Sequence, residues 1–296
     1  MTETGVERAR PGTQVDGVNV VGALSPSRAG DFKACPLLYR FRVVDKLPEP
    51  QSPAAVRGTV VHKVLEDLFD LPAPERTPDR AAAMIPGAWA HVATAEPERG
   101  ALFPPSEEKS EDEQAWLLSC AEVLGRYFDL EDPRALEPAE RELYVETLLD
   151  SRLLLRGYVD RIDVAPDGAI RVVDYKTGRS PGEGYEATAL FQMRFYALVL
   201  WRTRGVVPAM LRLVYLGNGE LVSYQPDEQD LVATERQVQA IWEAISTAHR
   251  TGEWLPAKSR LCSWCSFQAL CPEFGGTPPP LPDQEPVQRS QVHAGK

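Results

Sequence analysis

The chain has 296 residues, 43% of them hydrophobic, with a formal charge of −11 and five cysteines. That length can bury a substantial core, as one large domain or two small ones. The negative balance argues against a surface that attracts nucleic acid everywhere, because Lys and Arg neutralising phosphate dominate such binding. No window reaches the roughly 18 uninterrupted apolar residues of a membrane span, and residues 1–11 lack the apolar core of a secretory signal, so a cytoplasmic protein with no membrane partner is expected.

Residues 1–20 are polar and read as a tail. Ser25-Pro-Ser-Arg offers a capping side chain with Pro26 at the first helical position, predicting a helix that carries Phe32 and Cys35 and stops near Pro36. From Arg28 to Lys63 seven cations (Arg28, Lys33, Arg40, Arg42, Lys46, Arg57, Lys63) face three anions. That local +4 suits a strand-binding channel or a solvated helix face. A second helix follows Gly58, with Val61, Val64, Leu65, Leu68 and Phe69 at three- and four-residue spacing. Residues 72–110, rich in Pro, Ala and Glu, read as short helices and loops, and 115–130 as an amphipathic helix. Together they make 70–140 a mainly helical insertion. Strands are expected at 143–149, 153–164 and 169–176, and a long helix at 186–204. A hairpin at 211–216 and 220–224 turns on Gly217-Asn-Gly, and a closing helix spans 227–251. Residues 275–296 read as a second tail, leaving one α/β domain over 21–274.

The strands carry the chemistry. Pro166-Asp167-Gly168 suits a three-residue hairpin loop with Gly in the left-handed position, so Ala165 pairs with Ala169. Counting outward, Val164 faces Ile170, Ile162 faces Val172 and Asp160 faces Asp174, with Lys176 next along the same side. Two carboxylates meeting about 5 Å apart at the end of an apolar row repel, and one tends to stay protonated. A divalent cation removes that penalty, and Mg²⁺ suits a site of two carboxylates, waters and the Tyr175 backbone carbonyl. Lys176 can then stabilise charge developing on a phosphate. A bare D-x-K is more simply a strand-end ion pair, and it is the register that makes the triplet less accidental. Glu146 on the upstream strand is a candidate outer carboxylate.

His62 lies at the edge of the apolar stripe of the Gly58 helix and is a candidate fourth ligand, although a lone His there is more often structural. Gln192 and Tyr196, one turn apart, share a helix face and can hydrogen-bond a phosphate or a base. Cys262-x₂-Cys265-x₅-Cys271 lacks one ligand of a tetrathiolate set. Cys35, at a helix end near cations, or Cys120, inside an amphipathic helix, must supply it, and the spacing suits Zn²⁺ and an iron–sulfur cluster equally.

In order, Arg-Gly-Thr-Val-Val-His62, Gly-Tyr-Val-Asp160-Arg-Ile-Asp, Asp174-Tyr-Lys176-Thr-Gly and Gln192-x₃-Tyr196 resemble the motifs of RecB-like nucleases of the PD-(D/E)XK superfamily. Cys35 with the trio is similar to the cluster-bearing members, the CRISPR-associated exonucleases and the AddB nuclease domain. The resemblance spans 24–274. It implies a restriction-endonuclease-like mixed sheet flanked by helices, with an iron–sulfur staple joining the N- and C-terminal segments. It also implies Mg²⁺ or Mn²⁺ on His62, Asp160, Asp174 and the Tyr175 carbonyl, with catalysis by Asp160, Asp174 and Lys176. DNA is placed by Gln192 and Tyr196, and a [4Fe–4S] cluster, with Zn²⁺ as the alternative, sits on Cys35, Cys262, Cys265 and Cys271. The expected activity is exonucleolytic cleavage of single-stranded DNA at ends, in repair or processing, with a helicase or repair protein as partner. No G-x-x-x-x-G-K-[ST] phosphate loop is present, which departs from the large helicase-linked relatives. Two other readings are a non-catalytic DNA-end-binding or partner-recruiting protein on the same fold, and a zinc-stapled RNA-processing enzyme.

Overall fold

The computed structural model describes residues 14–15, 17–103, 110–180 and 186–282. They divide into two compact units, one of residues 1–29 and 50–240 and the other of 30–49 and 241–296, so each has a break in sequence. No helix among the described residues is long and apolar enough to cross a membrane.

In the larger unit, strands β1 (Gln14–Val15) and β2 (Val18–Asn19) form a small antiparallel ribbon inside the segment expected to be a tail. A six-stranded mixed sheet follows. It is built from β3 (Gly22–Leu24), β4 (Glu140–Leu148), β5 (Leu153–Val164), β6 (Ile170–Lys176), β7 (Met210–Tyr215) and β8 (Glu220–Tyr224). The twelve-residue β5 pairs with β4 antiparallel along most of its length. Its other edge pairs with β3 at its start and β6 at its end. The β6–β7 pair is parallel and joined by a helix, the crossover such a pair requires.

The β5–β6 turn behaves as the sequence predicts. Ala165 N–H donates to Ala169 O at 2.9 Å, Gly168 has φ +87°, and the ladder runs Val164↔Ile170, Ile162↔Val172, Arg161↔Val173.

Helix α1 (Pro26–Ala34) starts where Ser25 accepts from Arg28 N–H, as expected, and runs from the larger unit into the smaller. Helix α2 (Pro36–Tyr39) belongs to the smaller unit and continues into a π-helical turn, Arg40–Val44. Helix α3 (Pro53–Leu68) begins five residues before the Gly58 start read from sequence, because Ser52-Pro53 opens it. In place of short pieces, α4 (Pro78–Ala95) is an 18-residue helix that continues through Pro86; α5 (Pro97–Gly100) follows, then α6 (Glu111–Leu130).

Apolar faces of α3, α4 and α6 bury one side of the sheet around Val173, Tyr175, Val214 and Leu216. Helix α7 (Glu186–Arg204) packs against β4 to β7. Helix α8 (Glu228–Thr251) again passes from the larger unit into the smaller.

Arg161 of β5 is nearly inaccessible, with 1% of its side chain exposed. It pairs with Glu131 at 2.8 Å and Asp163 at 3.1 Å and donates to the Tyr175 hydroxyl. Replacing it by Leu strands the 5%-exposed Glu131 carboxylate, so unfolding free energy should fall by about 3 kcal/mol in denaturant melts. A loss below about 1 kcal/mol would show that water or Arg212, 3.6 Å from Glu131, compensates.

In the smaller unit, Phe32, Tyr39, His249 and Trp254 pack ring against ring, and Arg42 is held by Asp31 (2.6 Å) and Glu49 (2.7 Å). In the larger unit Lys63 is held by Glu66 and Asp67. These two cations of the +4 segment are therefore committed to local carboxylates, and the segment is shared between both units.

Candidate active site

At the end of the β5–β6 ladder the strands stop exchanging backbone hydrogen bonds. Tyr175 N–H instead donates to Asp160 Oδ2 at 2.7 Å. Continuing the register sets Asp160 against Asp174, and the β4–β5 register, Arg141↔Arg161 and Leu143↔Val159, sets Glu142 against Asp160 from the other side. Three carboxylates thus form a row across three strands. Glu142 takes φ +41°, a conformation that costs a non-glycine residue energy.

His62 of α3 completes the set. Its Nε2 lies 3.0 Å from the Tyr175 carbonyl, which can only accept, so in the neutral ring the proton sits on Nε2 and Nδ1 is bare. Nδ1 is 3.6 Å from Asp160 and 4.0 Å from Glu142. One ligand atom each from His62, Glu142 and Asp160 lie within 4.8 Å of one another. A ring with one nitrogen donating to a backbone carbonyl and the other left bare for an ion is how metal-binding histidines are usually held. The Tyr175 carbonyl, expected among the ligands, accepts from His62 here.

Asp174 and Lys176 lie beside this set, tied to α7. Lys176 Nζ is 2.7 Å from Asp174 Oδ2 and donates to Gln192 Oε1 at 2.8 Å, while Gln192 Nε2 donates to Asp174 Oδ1 at 2.8 Å. Tyr196 OH accepts from the same Gln192 amide at 3.3 Å. Gln192 and Tyr196, expected to place DNA, thus orient Asp174 and Lys176 in this arrangement. Two glycines allow the close approach. A β-carbon on Gly58 would stand 3.1 Å from Thr177 Oγ1, and one on Gly157 would stand 2.8 Å from the Tyr196 ring.

The electrostatics follow from the crowding. Burial, then the Asp174 charge, pushes the Asp160 carboxyl up to about 6, although His62, the Tyr175 N–H and Lys176 pull the other way. Burial, then Asp160, pushes Glu142 up to about 7, with His62 opposing. Both shifts express the cost of burying neighbouring carboxylates. The carboxylate oxygens and the bare Nδ1 are donors that suit a divalent cation.

Glu142 is the site residue the sequence reading missed. Glu146, chosen instead as the outer carboxylate, accepts from Tyr144 OH at 2.6 Å and stands outside the group.

In the smaller unit, Cys35, Cys262, Cys265 and Cys271 line one cavity of about 60 Å³ with Leu37 and Phe41. Backbone N–H groups of Ala257 and Ser259 point at the Cys35 and Cys262 sulfurs, at 3.4 and 3.3 Å. Cys120 is fully buried in α6, in the larger unit, and burial raises its thiol to about 12. It packs as an apolar residue. Among the described residues no three cysteine sulfurs lie within 4.8 Å of one another.

A metal-ready carboxylate row at the splayed end of a mixed sheet, followed by a lysine two residues on, defines a class of phosphodiester-cleaving proteins. The chain belongs to the PD-(D/E)XK nuclease superfamily, whose family model matches residues 23–272. It is similar to the Gene 69 protein of Mycobacterium phage D29, with 27% identity over 274 residues, covering 84% of this chain and 96% of that protein. The Gene 69 protein of Mycobacterium phage L5 matches at 27% over 123 residues, 40% of each chain. The crystal structure of an exonuclease candidate from Eubacterium rectale has a similar fold, with TM-score 0.53 and 14% identity, covering 82% of this chain and 86% of that one.

Proposed function

We propose that the protein is a Mg²⁺- or Mn²⁺-dependent deoxyribonuclease that removes nucleotides from ends of single-stranded DNA. The observation that carries this reading is the row Glu142, Asp160, Asp174 with Lys176 beside it. His62, Asp160 and Asp174 would hold the ion, with Glu142 alongside. When bound, the ion neutralises the carboxylates, polarises a phosphate oxygen and acidifies water. Gln192 keeps Asp174 and Lys176 in register, and Lys176 would stabilise the extra negative charge on the phosphate oxygens as the phosphodiester is attacked. End-directed action follows the RecB-like motifs and is in line with the exonuclease candidate of similar fold.

The same reading assigns a [4Fe–4S] cluster to Cys35, Cys262, Cys265 and Cys271. It is the resemblance of the cysteine pattern to the cluster-bearing nucleases that favours the cluster over Zn²⁺. A helicase or repair protein that generates single strands is the fitting partner.

Purified protein should be given end-labelled single- and double-stranded oligonucleotides with Mg²⁺, Mn²⁺ or chelator. Stepwise loss of the single strand with either metal supports the proposal. Tight binding of ends with no product would favour a non-catalytic end-binding protein.

A further inference from the structure

Beside the carboxylate row lies a cavity of about 500 Å³ lined by His62, Lys63, Glu66, His91, Glu142 and Tyr158, large enough for a nucleotide-sized ligand. Tyr158 and Tyr144 are direct cross-strand partners on β5 and β4, with ring centroids 5.2 Å apart. They remain 54% and 43% exposed. Asp160 follows Tyr158 by two residues and Glu142 precedes Tyr144 by two, so the rings share a strand face with the metal-ready carboxylates. The offset along the strands is about 7 Å, on the scale of one nucleotide. Glu146 fixes the Tyr144 ring by accepting a hydrogen bond from its hydroxyl, and Tyr144 in turn backs Tyr158.

We propose that Tyr158, backed by Tyr144, is a stacking platform for the unpaired terminal base of the strand being degraded, and so a specificity residue for single-stranded ends. The inference rests on the nuclease reading and sharpens it. Every base has a π-face, so stacking tolerates any sequence, while a base locked in a duplex keeps its faces against its neighbours. The same exposed pair would otherwise be only a cross-strand contact that steadies the β4–β5 hairpin.

The test uses the full chain with Tyr158→Ala and Tyr158→Trp. Substrates are an oligothymidylate, the same oligomer with abasic nucleotides at both ends, and a blunt duplex. Tyr158→Ala should raise KM for the plain single strand about 10- to 100-fold, with kcat changing less than about threefold, and Tyr158→Trp should restore KM. The wild type should show the same KM rise on abasic ends, and Tyr158→Ala no further rise. An unchanged KM in Tyr158→Ala, on a strand the wild type degrades, overturns the platform and leaves the nuclease reading standing. Fluorescence anisotropy separates the other case. Oligomer binding that Tyr158→Ala weakens, without cleavage by any variant, supports the platform and removes the nuclease reading; no binding by the wild type overturns both.

Discussion

Asp174→Asn and Lys176→Ala are each expected to lower kcat for single-stranded DNA by about a thousandfold or more while the protein stays folded. Losing one preorganised charge donor aimed at a reacting oxygen typically costs 10²- to 10³-fold. Lys176 is the only cation in contact with Asp174 among the described ion pairs. Asp174→Asn keeps the shape and the Gln192 contact but removes the negative charge that, with Asp160, calls for a cation. Folding should survive in both variants. The Lys176 side chain is 30% exposed, and removing the Asp174 charge relieves repulsion with Asp160. Circular dichroism and melting curves check that point, and end-labelled oligonucleotides in Mg²⁺ or Mn²⁺ check turnover. Activity within tenfold of wild type in either variant would place the chemistry elsewhere.

The proposed cluster carries the second large effect. Protein purified without oxygen should be brown, with an absorbance band near about 400 nm that d¹⁰ zinc cannot give. Ala at Cys35, Cys262, Cys265 or Cys271 should remove the band and lower the melting temperature by about 10 °C or more, because Cys35 and Cys262 of the smaller unit stand over two hundred residues apart in sequence. Without the metal link the entropy of closing that loop opposes their association. Ala at Cys120 should keep the band, since that thiol is buried among α6 neighbours in the larger unit. A band that survives Cys35→Ala but not Cys120→Ala would reverse the ligand assignment. A colourless protein with stoichiometric zinc would replace the cluster.

Most of the central hairpin was legible because Pro166-Asp167-Gly168 is a turn whose chemistry fixes its register, and that register set Asp160 against Asp174. The β4–β5 turn hid its register. Leu149 N–H bonds to Leu153 O, and Arg152, at φ +63°, occupies the left-handed position that glycine would have advertised. With a glycine there, counting back would have set Glu142, and not Glu146, opposite Asp160. Helix α3 was read late because Gly58 looked like a boundary, when it is the small residue that lets the helix approach Thr177. Pro86 made α4 look broken, yet a helix capped by Thr77 runs through it. The gathering of Cys35 with the C-terminal trio is a tertiary fact that no local periodicity carries. Gln192 and Tyr196 were visible as a helix-face pair, but their grip on Asp174 and Lys176 appears only when α7 is set against β6.

A carboxylate row that requires a cation must betray it in the pH dependence of melting. Folded Asp160 and Glu142 hold protons up to about pH 6 and 7, whereas unfolded carboxyls release theirs near about 4. The folded state therefore binds more protons across that window, and without metal its stability falls as pH rises from about 4 to 7. Mn²⁺ displaces those protons, so its apparent affinity should be at least about tenfold higher at pH 8 than at pH 5. Melting wild type and Asp160→Asn with and without Mn²⁺ at both pH values should show a rise in melting temperature that is largest for wild type at pH 8 and lost in the variant. An equal rise in both proteins, or none in the wild type at pH 8, would mean that the row does not hold a cation.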